Sequence, residues 1–307
     1  MCILLASTSH PKYSLIVVSN RDECYSRETR HTTLSGDGFV LCPVDMAPGI
    51  DGSPKGGTWL GVNKNGRISS VLNLRNDRQL LANPRNGPEF SRGSVPMRFL
   101  NSRNSFNEWD NYDKFERQFP LIKGGDLNLF IGDCIQQRYV AMDSFGLSVP
   151  VLTPSNPFLV LSNDFINTGT KWPKVEKAEN MLRKMISESE DASEEELVAK
   201  CLHIASLCDD ISPASLNLKT VALTNNNIFI KPARIGSSSN SVNVKDALPK
   251  GRFYGTRSQI VVLVTRDTRR LTFVEQILHD SDDDAAIFSP TKPKNKLRFS
   301  MDLTESL

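Results

Sequence analysis

Cys2 directly follows the initiator methionine. A methionine aminopeptidase cleaves in front of a small residue, and removal of Met1 would make Cys2 the N-terminal residue. A terminal cysteine carries a nucleophile and a base on one residue. A free thiol titrates near ~8.5 and an α-amine near ~7.7–8.0, so proton transfer between them is nearly balanced at neutral pH. An N-terminal amine that activates its own side chain is an established catalytic device. Asn20, Arg21, Asp22 and Glu23 form a polar run directly after an apolar one. With Cys2 they would bring a thiol, a guanidinium and two carboxylates together. Arg21 would lower the thiol pKa. Asp22 would orient the amine, although residue types alone leave Asp22 and Glu23 open for that role.

These groups meet only if the chain folds back on itself. Ile3 to Thr8 reads as a buried strand, His10-Pro11-Lys12 as a turn, and Tyr13 to Ser19 as a second strand. A hairpin sets the end of its second strand beside the start of its first. The Cys2 sulfur is therefore expected within about 10 Å of Arg21 or Asp22. Downstream, Thr33 to Lys55 reads as loop-rich. Thr58 to Asn63 and Arg67 to Asn73 form a hairpin across Lys64-Asn65-Gly66, where Asn-Gly is a strong turn signal. A helix should end near Leu100, and Ser105 with Glu108 reads as a capping box for a helix toward Phe119. Leu127 to Asp133, Arg138 to Asp143 and Phe158 to Asn163 read as strands. Val175, Ala178, Leu182 and Met185 repeat at helical spacing, giving an amphipathic helix over Lys174 to Ser187. Ser193 with Glu196 caps the next helix, which places Leu197, Cys201, Ala205 and Cys208 on one face. Strands resume at Thr220 to Thr224, Ile228 to Lys231, Gln259 to Thr265 and Arg270 to Glu275. Between them, Gly236 to Asn243 reads as a Ser-rich loop. Strands, helices, then strands again predict a layered α+β protein.

Met1-Cys2-Ile3, Asn20-Arg21-Asp22-Glu23 and Arg27-Glu28-Thr29 resemble motifs of the Asn-Arg-Asp-Glu family, also called the transport and Golgi organisation protein 2 family. Gly56-Gly57-Thr58-Trp59-Leu60-Gly61, Leu72-Asn73, Ser91-Arg92-Gly93, Leu161-Ser162-Asn163, Trp172-Pro173-Lys174-Val175 and Tyr254-Gly255-Thr256-Arg257 extend the resemblance to about residue 275. It implies a four-layer αββα sandwich of the N-terminal nucleophile hydrolase type, as one domain over residues 1–277. Residues 278–307, which carry no motif, are expected to be a partly disordered extension. The catalytic group implied is Cys2, Arg21 and Asp22, with Asn73 and Asn163 as oxyanion or α-amine contacts and Arg257 holding the thiolate or a substrate carboxylate. Glu23 and Trp59 would contact substrate, Trp59 as an apolar wall. The resemblance also implies roles in intracellular haem mobilisation, lipid homeostasis and Golgi organisation. The alternative is an active Cys2-dependent hydrolase of a small amide or acyl-thioester.

Composition narrows the partners. The chain has 307 residues, is 39% hydrophobic and 23% charged, and carries a net charge of +2. No basic stripe with interleaved aromatics points to nucleic acid. The family resemblance implies a small apolar or acyl ligand as the partner, with haem as a candidate cargo. No resident cofactor or metal is expected, since the four histidines and six cysteines lack ligand spacing. The longest apolar runs are strand length, far short of a bilayer span. A cytoplasmic protein is expected, with mitochondrial, Golgi or peripheral membrane association compatible.

Overall fold

The computed structural model describes residues 2–46, 56–75, 88–167, 169, 171–209, 225–234 and 252–305. Two antiparallel sheets pack face to face. The first runs β10(Phe158–Leu161), β1(Ile3–Ser7), β2(Tyr13–Cys24), β12(Phe253–Thr265), β13(Arg270–Ile277), β14(Asn295–Asp302), with β11(Ala233–Arg234) on β12. The second follows chain order through β3(Thr29–Leu34), β4(Val40–Asp45), β5(Leu60–Asn63), β6(Arg67–Asn73), β7(Leu127–Asp133), β8(Arg138–Asp143) and β9(Ser148–Val151).

Three buried clusters define the layers. Leu4, Ala6, Leu15, Val17, Phe130 and Phe273 fill the space between the sheets. Ile3, Leu5, Ile16 and Val18, on the opposite face of the same strands, pack under α3(Pro173–Ser187) and α4(Glu194–Ala205). Val95, Phe99 and Phe115, from α1(Ser94–Asn101) and α2(Tyr112–Gln118), cover the second sheet. The order is therefore helix, sheet, sheet, helix, the expected four-layer αββα sandwich. Strands buried on both faces explain why β1 and most of β2 read as continuous apolar runs rather than alternating ones.

Strand alternation decides where each polar residue at the end of β2 points. Leu15 and Val17 face the other sheet, so Arg21 and Glu23 do too. Ile16 and Val18 face the helices, and so do Asn20 and Asp22. Asn20 confirms the phase by donating to the Ala205 carbonyl at the end of α4, at 2.7 Å.

Several local expectations need correction. Thr33 to Lys55 contains β4, whose six residues are largely buried. Ser105 makes no capping bond. A short 3-10 turn follows it, and α2 starts later, with the Asn111 side chain accepting from the Lys114 N–H at 3.0 Å. Cys208 lies beyond α4, whose last residue is Ala205. Ile228 to Lys231 is not a strand; the Ile230 carbonyl accepts from the Thr256 N–H, and pairing begins at Ala233. Residues 278–305 are not a solvated tail. β14 pairs with β13 from Arg270↔Asp302 to Ile277↔Asn295. The acidic run Asp280 to Asp284 and the basic run Lys292 to Arg298 join through Lys294, which binds both Asp280 and Asp284. The expected strand at Thr220 to Thr224 and the loop at Gly236 to Asn243 lie outside the described residues.

Among the described residues no helix is long and apolar enough to cross a membrane. None of their His, Cys, Asp and Glu side chains form a group of three that could hold a metal.

Candidate active site

Cys2 sits at the open end of the sandwich. The hairpin register pairs Ile3 with Asn20, which sets Cys2 beside Arg21. Cys2 lines a cavity of about 300 Å³ with Arg21, Asp22, Glu23, Trp59 and Asn73. The backbone N–H of Asp22 works to lower the Cys2 thiol pKa. On its other side Cys2 is tied to β10, because Ser162 Oγ donates to the Cys2 carbonyl at 3.0 Å. The expected juxtaposition of Cys2 with the polar run of β2 is what the fold contains.

The two faces of β2 give Arg21 and Asp22 different surroundings. The Arg21 guanidinium lies 4.1 Å over the Trp59 ring and donates to Thr29 Oγ1 at 2.9 Å and Asp45 Oδ2 at 3.5 Å. Trp59 is thus both cavity wall and stacking platform. Asp22 is buried and accepts from Thr256 Oγ1 at 2.6 Å. Burial raises the Asp22 carboxyl above the ordinary range, opposed chiefly by the chain's terminal amine and then by Lys174. Glu23 points into the cleft. Burial works to raise it, but Arg21, Arg27 and the Cys24 N–H together bring it below the usual value. The two carboxylates stand apart in their side-chain partners: Thr256 donates to Asp22, whereas Arg27 lies 3.7 Å from Glu23 and the Cys24 N–H donates to it.

In the chain that retains Met1, burial pushes the Cys2 thiol above its ordinary pKa. The terminal amine lowers it most, and Arg21 lowers it only weakly. Arg21 thus acts in the expected direction but is outweighed by burial.

The remaining expected residues stand at different depths. Asn73 ends β6 at the cavity, with an exposed side chain. Asn163 is fully buried one layer back, and its Nδ2 donates to the Asn73 carbonyl at 2.6 Å. It fixes Asn73 rather than lining the cleft. Arg257 does not line the cleft either. Thr256 pairs with Asp22 and Ser258 with Arg21, so Arg257 is the extra residue of a β-bulge. Its guanidinium is consumed by the carbonyls of His279, Cys24 and Arg27 and by Thr29 Oγ1. Because Arg21 donates to the same Thr29 hydroxyl, Arg257 is a brace behind Arg21. Burial and the nearby Arg21 push the Arg257 guanidinium down to about 10.

Sequence reasoning missed Arg27, Asp45, Thr58 and Arg92 as cavity-lining residues. Asp45 receives Arg27 Nε on both oxygens, at 3.1 and 2.9 Å. Arg92 is carried in by a close backbone approach: a Cβ on Gly93 would lie 2.9 Å from the Gly57 Cα, and one on Gly57 would lie 2.9 Å from the Gly93 Cα. Only glycines let these two loops touch. The motifs Gly56-Gly57-Thr58-Trp59 and Ser91-Arg92-Gly93 carried this signal without showing that they meet.

The brace itself is acid-sensitive. His279 stacks on Tyr25 at 4.2 Å and 19°, is 2% exposed, and burial pushes it down to about 4. A folded pKa below the unfolded ~6.5 contributes stability above pH 6.5, and that stability is lost as pH falls through about 4. A melting-temperature series from pH 7 to 4 is expected to fall steeply below 6.5. The fall should be shallower in His279→Phe, which keeps the stack. Parallel curves would show that another group governs acid unfolding.

Comparison with known proteins follows the same lines. Residues 1–280 match the family described as Transport and Golgi organisation 2. An uncharacterized protein of Saccharomyces cerevisiae is 37% identical over 319 residues, covering 99% of this chain and 100% of that one. The Transport and Golgi organization protein 2 homolog of Bos taurus is 26% identical over 293 residues, covering 92% and 95%. Among solved structures, a mutant conjugated bile acid hydrolase from Clostridium perfringens aligns at TM-score 0.43 with 10% identity, covering 100% of this chain and 99% of that one. A Caenorhabditis elegans N-acylethanolamine-hydrolyzing acid amidase ortholog aligns at TM-score 0.37 with 10% identity, covering 97% and 100%. With a match that spans its cavity-lining residues and every strand of both sheets but β14, the chain belongs to the Transport and Golgi organisation 2 family.

Proposed function

We propose that this protein, once Met1 is removed, hydrolyses a small amide or acyl-thioester through Cys2. The observation that supports this reading is that Cys2, Asp22 and Asn73 line one cleft, with Cys2 next to Arg21 and Asp22 in the strand register. The free α-amine of Cys2 takes the thiol proton as sulfur attacks the carbonyl carbon. A C–S bond forms, and the oxyanion is stabilised by the neutral Asn73 amide, which donates without losing a proton. The scissile C–N or C–S bond breaks, and the leaving group takes the proton held by the α-ammonium. Water then attacks the thioester, its proton passing through the same amine, and the acid and free thiol are released. Asp22 holds the amine in place.

The cavity is at the small end for ligand sites. Trp59, Val71, Pro88 and Phe90 supply apolar walls, while Arg21, Arg27 and Arg92 balance Asp22, Glu23 and Asp45. This suits a short acyl or apolar group attached to a polar head. A second reading is transport of a cargo, haem or a lipid, in the same cleft. Cys2 is the one thiol, imidazole or phenol among the described lining residues, and the arginines could meet carboxylates. It would account for a family name that speaks of transport and Golgi organisation.

Alkylation separates the sites. Cys24, Cys42, Cys134 and Cys201 are buried, and burial raises each of them, Cys24 and Cys201 to about 12 and Cys42 to about 11. Cys2 and Cys208 are half-buried. Iodoacetamide followed by peptide mass spectrometry is expected to label Cys2 first in the processed protein. Labelling of Cys208 ahead of Cys2 would count against an activated thiolate.

A further inference from the structure

Lys174 occupies a position where a lysine is doubly unfavourable. It is fully buried, and it is the second residue of α3, whose N-terminal end already carries partial positive charge. Its Nζ makes no hydrogen bond among the described residues and lies 5.5 Å over the Trp172 ring. A lysine kept in such a place needs a compensating charge. Asp22 is the largest one acting on it, followed by Cys2. Strand alternation puts the two on one side of the sheet: Asp22 leaves β2 on the helix side, the side that α3 covers.

We propose that Lys174 is a positioning residue for the Cys2 chemistry, the buried counter-charge that holds Asp22 as a carboxylate beside the terminal amine. The role follows from charge balance. If Asp22 had only the α-amine as partner, it would favour that amine as an ammonium, which cannot accept the thiol proton. With Lys174 carrying the positive charge, Asp22 stays ionised and can accept a hydrogen bond from an amine that remains neutral. Burial disfavours the charged form of both, raising Asp22 and lowering Lys174, so Lys174 relies chiefly on Asp22, and Asp22 in part on Lys174, to stay charged. Thr256 Oγ1 donates to Asp22 from β12, and Arg21 and Glu23 flank Asp22 on β2 while facing the opposite side of the sheet. Lys174 is therefore the cation on the helix side. This inference rests on the hydrolase reading for its catalytic consequence. For the pair it rests on the buried Lys174 Nζ, without a hydrogen bond among the described residues, and on the helix-side placement of Asp22.

Two measurements on the full-length processed protein test it. Lys174→Met keeps the volume and removes the charge. It is expected to move the acid limb of the pH–kcat/KM profile upward by about one unit, with the rate recovered at alkaline pH. The same shift is expected in the pH profile of iodoacetamide labelling of Cys2, which needs no substrate. Unmoved limbs in both profiles, with only a lower plateau or a lower melting temperature, would overturn the proposal. The second measurement is a melting-temperature cycle. Asp22→Asn strands a buried ammonium and is expected to lower Tm by roughly 10 °C. Adding Lys174→Met to Asp22→Asn should then raise Tm above that of the single variant. Additive losses would overturn the pair even if the single variants fold poorly. Coupling in the cycle together with full turnover by Cys2→Ala would retire the hydrolase reading while the Lys174–Asp22 pair stands.

Discussion

Cys2→Ala is expected to abolish turnover of amide or thioester substrates, a loss of at least about 10³-fold, while leaving Tm within about 2 °C of the native protein. The asymmetry follows from where the residue sits. The sulfur is half-buried at the edge of the inter-sheet core, so its removal leaves little cavity, but no other thiol lines the cleft. Cys2→Ser keeps a hydroxyl of much higher pKa in the same place and should retain only a trace of activity. The same variants divide the two functional readings. A carrier that uses the cleft without turnover would keep ligand binding in Cys2→Ala, and complementation of a deletion strain by that variant would be complete. Parallel loss of turnover and of complementation assigns the biological role to the chemistry.

Arg257→Met carries the second large effect, on stability as well as activity. The guanidinium is 2% exposed and ties together the Cys24, Arg27 and His279 carbonyls and the Thr29 hydroxyl. Its loss leaves several buried acceptors without donors, a cost on the order of 4 kcal/mol. Arg21 then loses the shared Thr29 contact that fixes its guanidinium over Trp59. Chemical denaturation should show the loss of stability. Activity measured well below the new melting temperature should also fall, because Arg21 is released. The more conservative Arg257→Lys keeps the charge but cannot reproduce the fork, and it should rescue little. An Arg257→Met variant with native stability and a raised KM alone would instead place Arg257 in direct contact with substrate.

How far the residues disclosed this arrangement depends on the range of each signal. The Cys2–Arg21 neighbourhood was legible because it needs only one hairpin. The register that pairs Ile3 with Asn20 follows from a short turn and an apolar pattern. Asn73 at the end of β6 was legible for the same reason, as the far end of the hairpin built on Asn65-Gly66. The role of Arg257 was not. A β-bulge is set by the partner strand, and nothing local announces that Thr256 and Ser258 pair with adjacent residues. Asn163 was expected to end a strand, but β10 stops two residues earlier at Leu161, and the Asn163 bond to the Asn73 carbonyl reaches across to the other sheet. Lys174 was hidden by its type. The helical period put Val175, Ala178, Leu182 and Met185 inside, and a lysine beside them is ordinarily solvated. The pattern at Ser105 and Glu108 shows the opposite failure. It matches a capping box, yet the chain turns only briefly there, whereas at Ser193 and Glu196 both reciprocal bonds form. Tertiary contacts, not the four-residue pattern, choose between them.

Everything proposed for Cys2 depends on a free α-amine, so the mass of the mature N-terminal peptide is the most direct measurement. Protein purified from the cytosol of cells expressing the native chain, digested and measured without alkylation, is expected to begin at Cys2 with an unmodified amine. A peptide that retains Met1, or one acetylated on Cys2, in nearly all molecules would contradict the account. In that case the base that the chemistry requires does not exist.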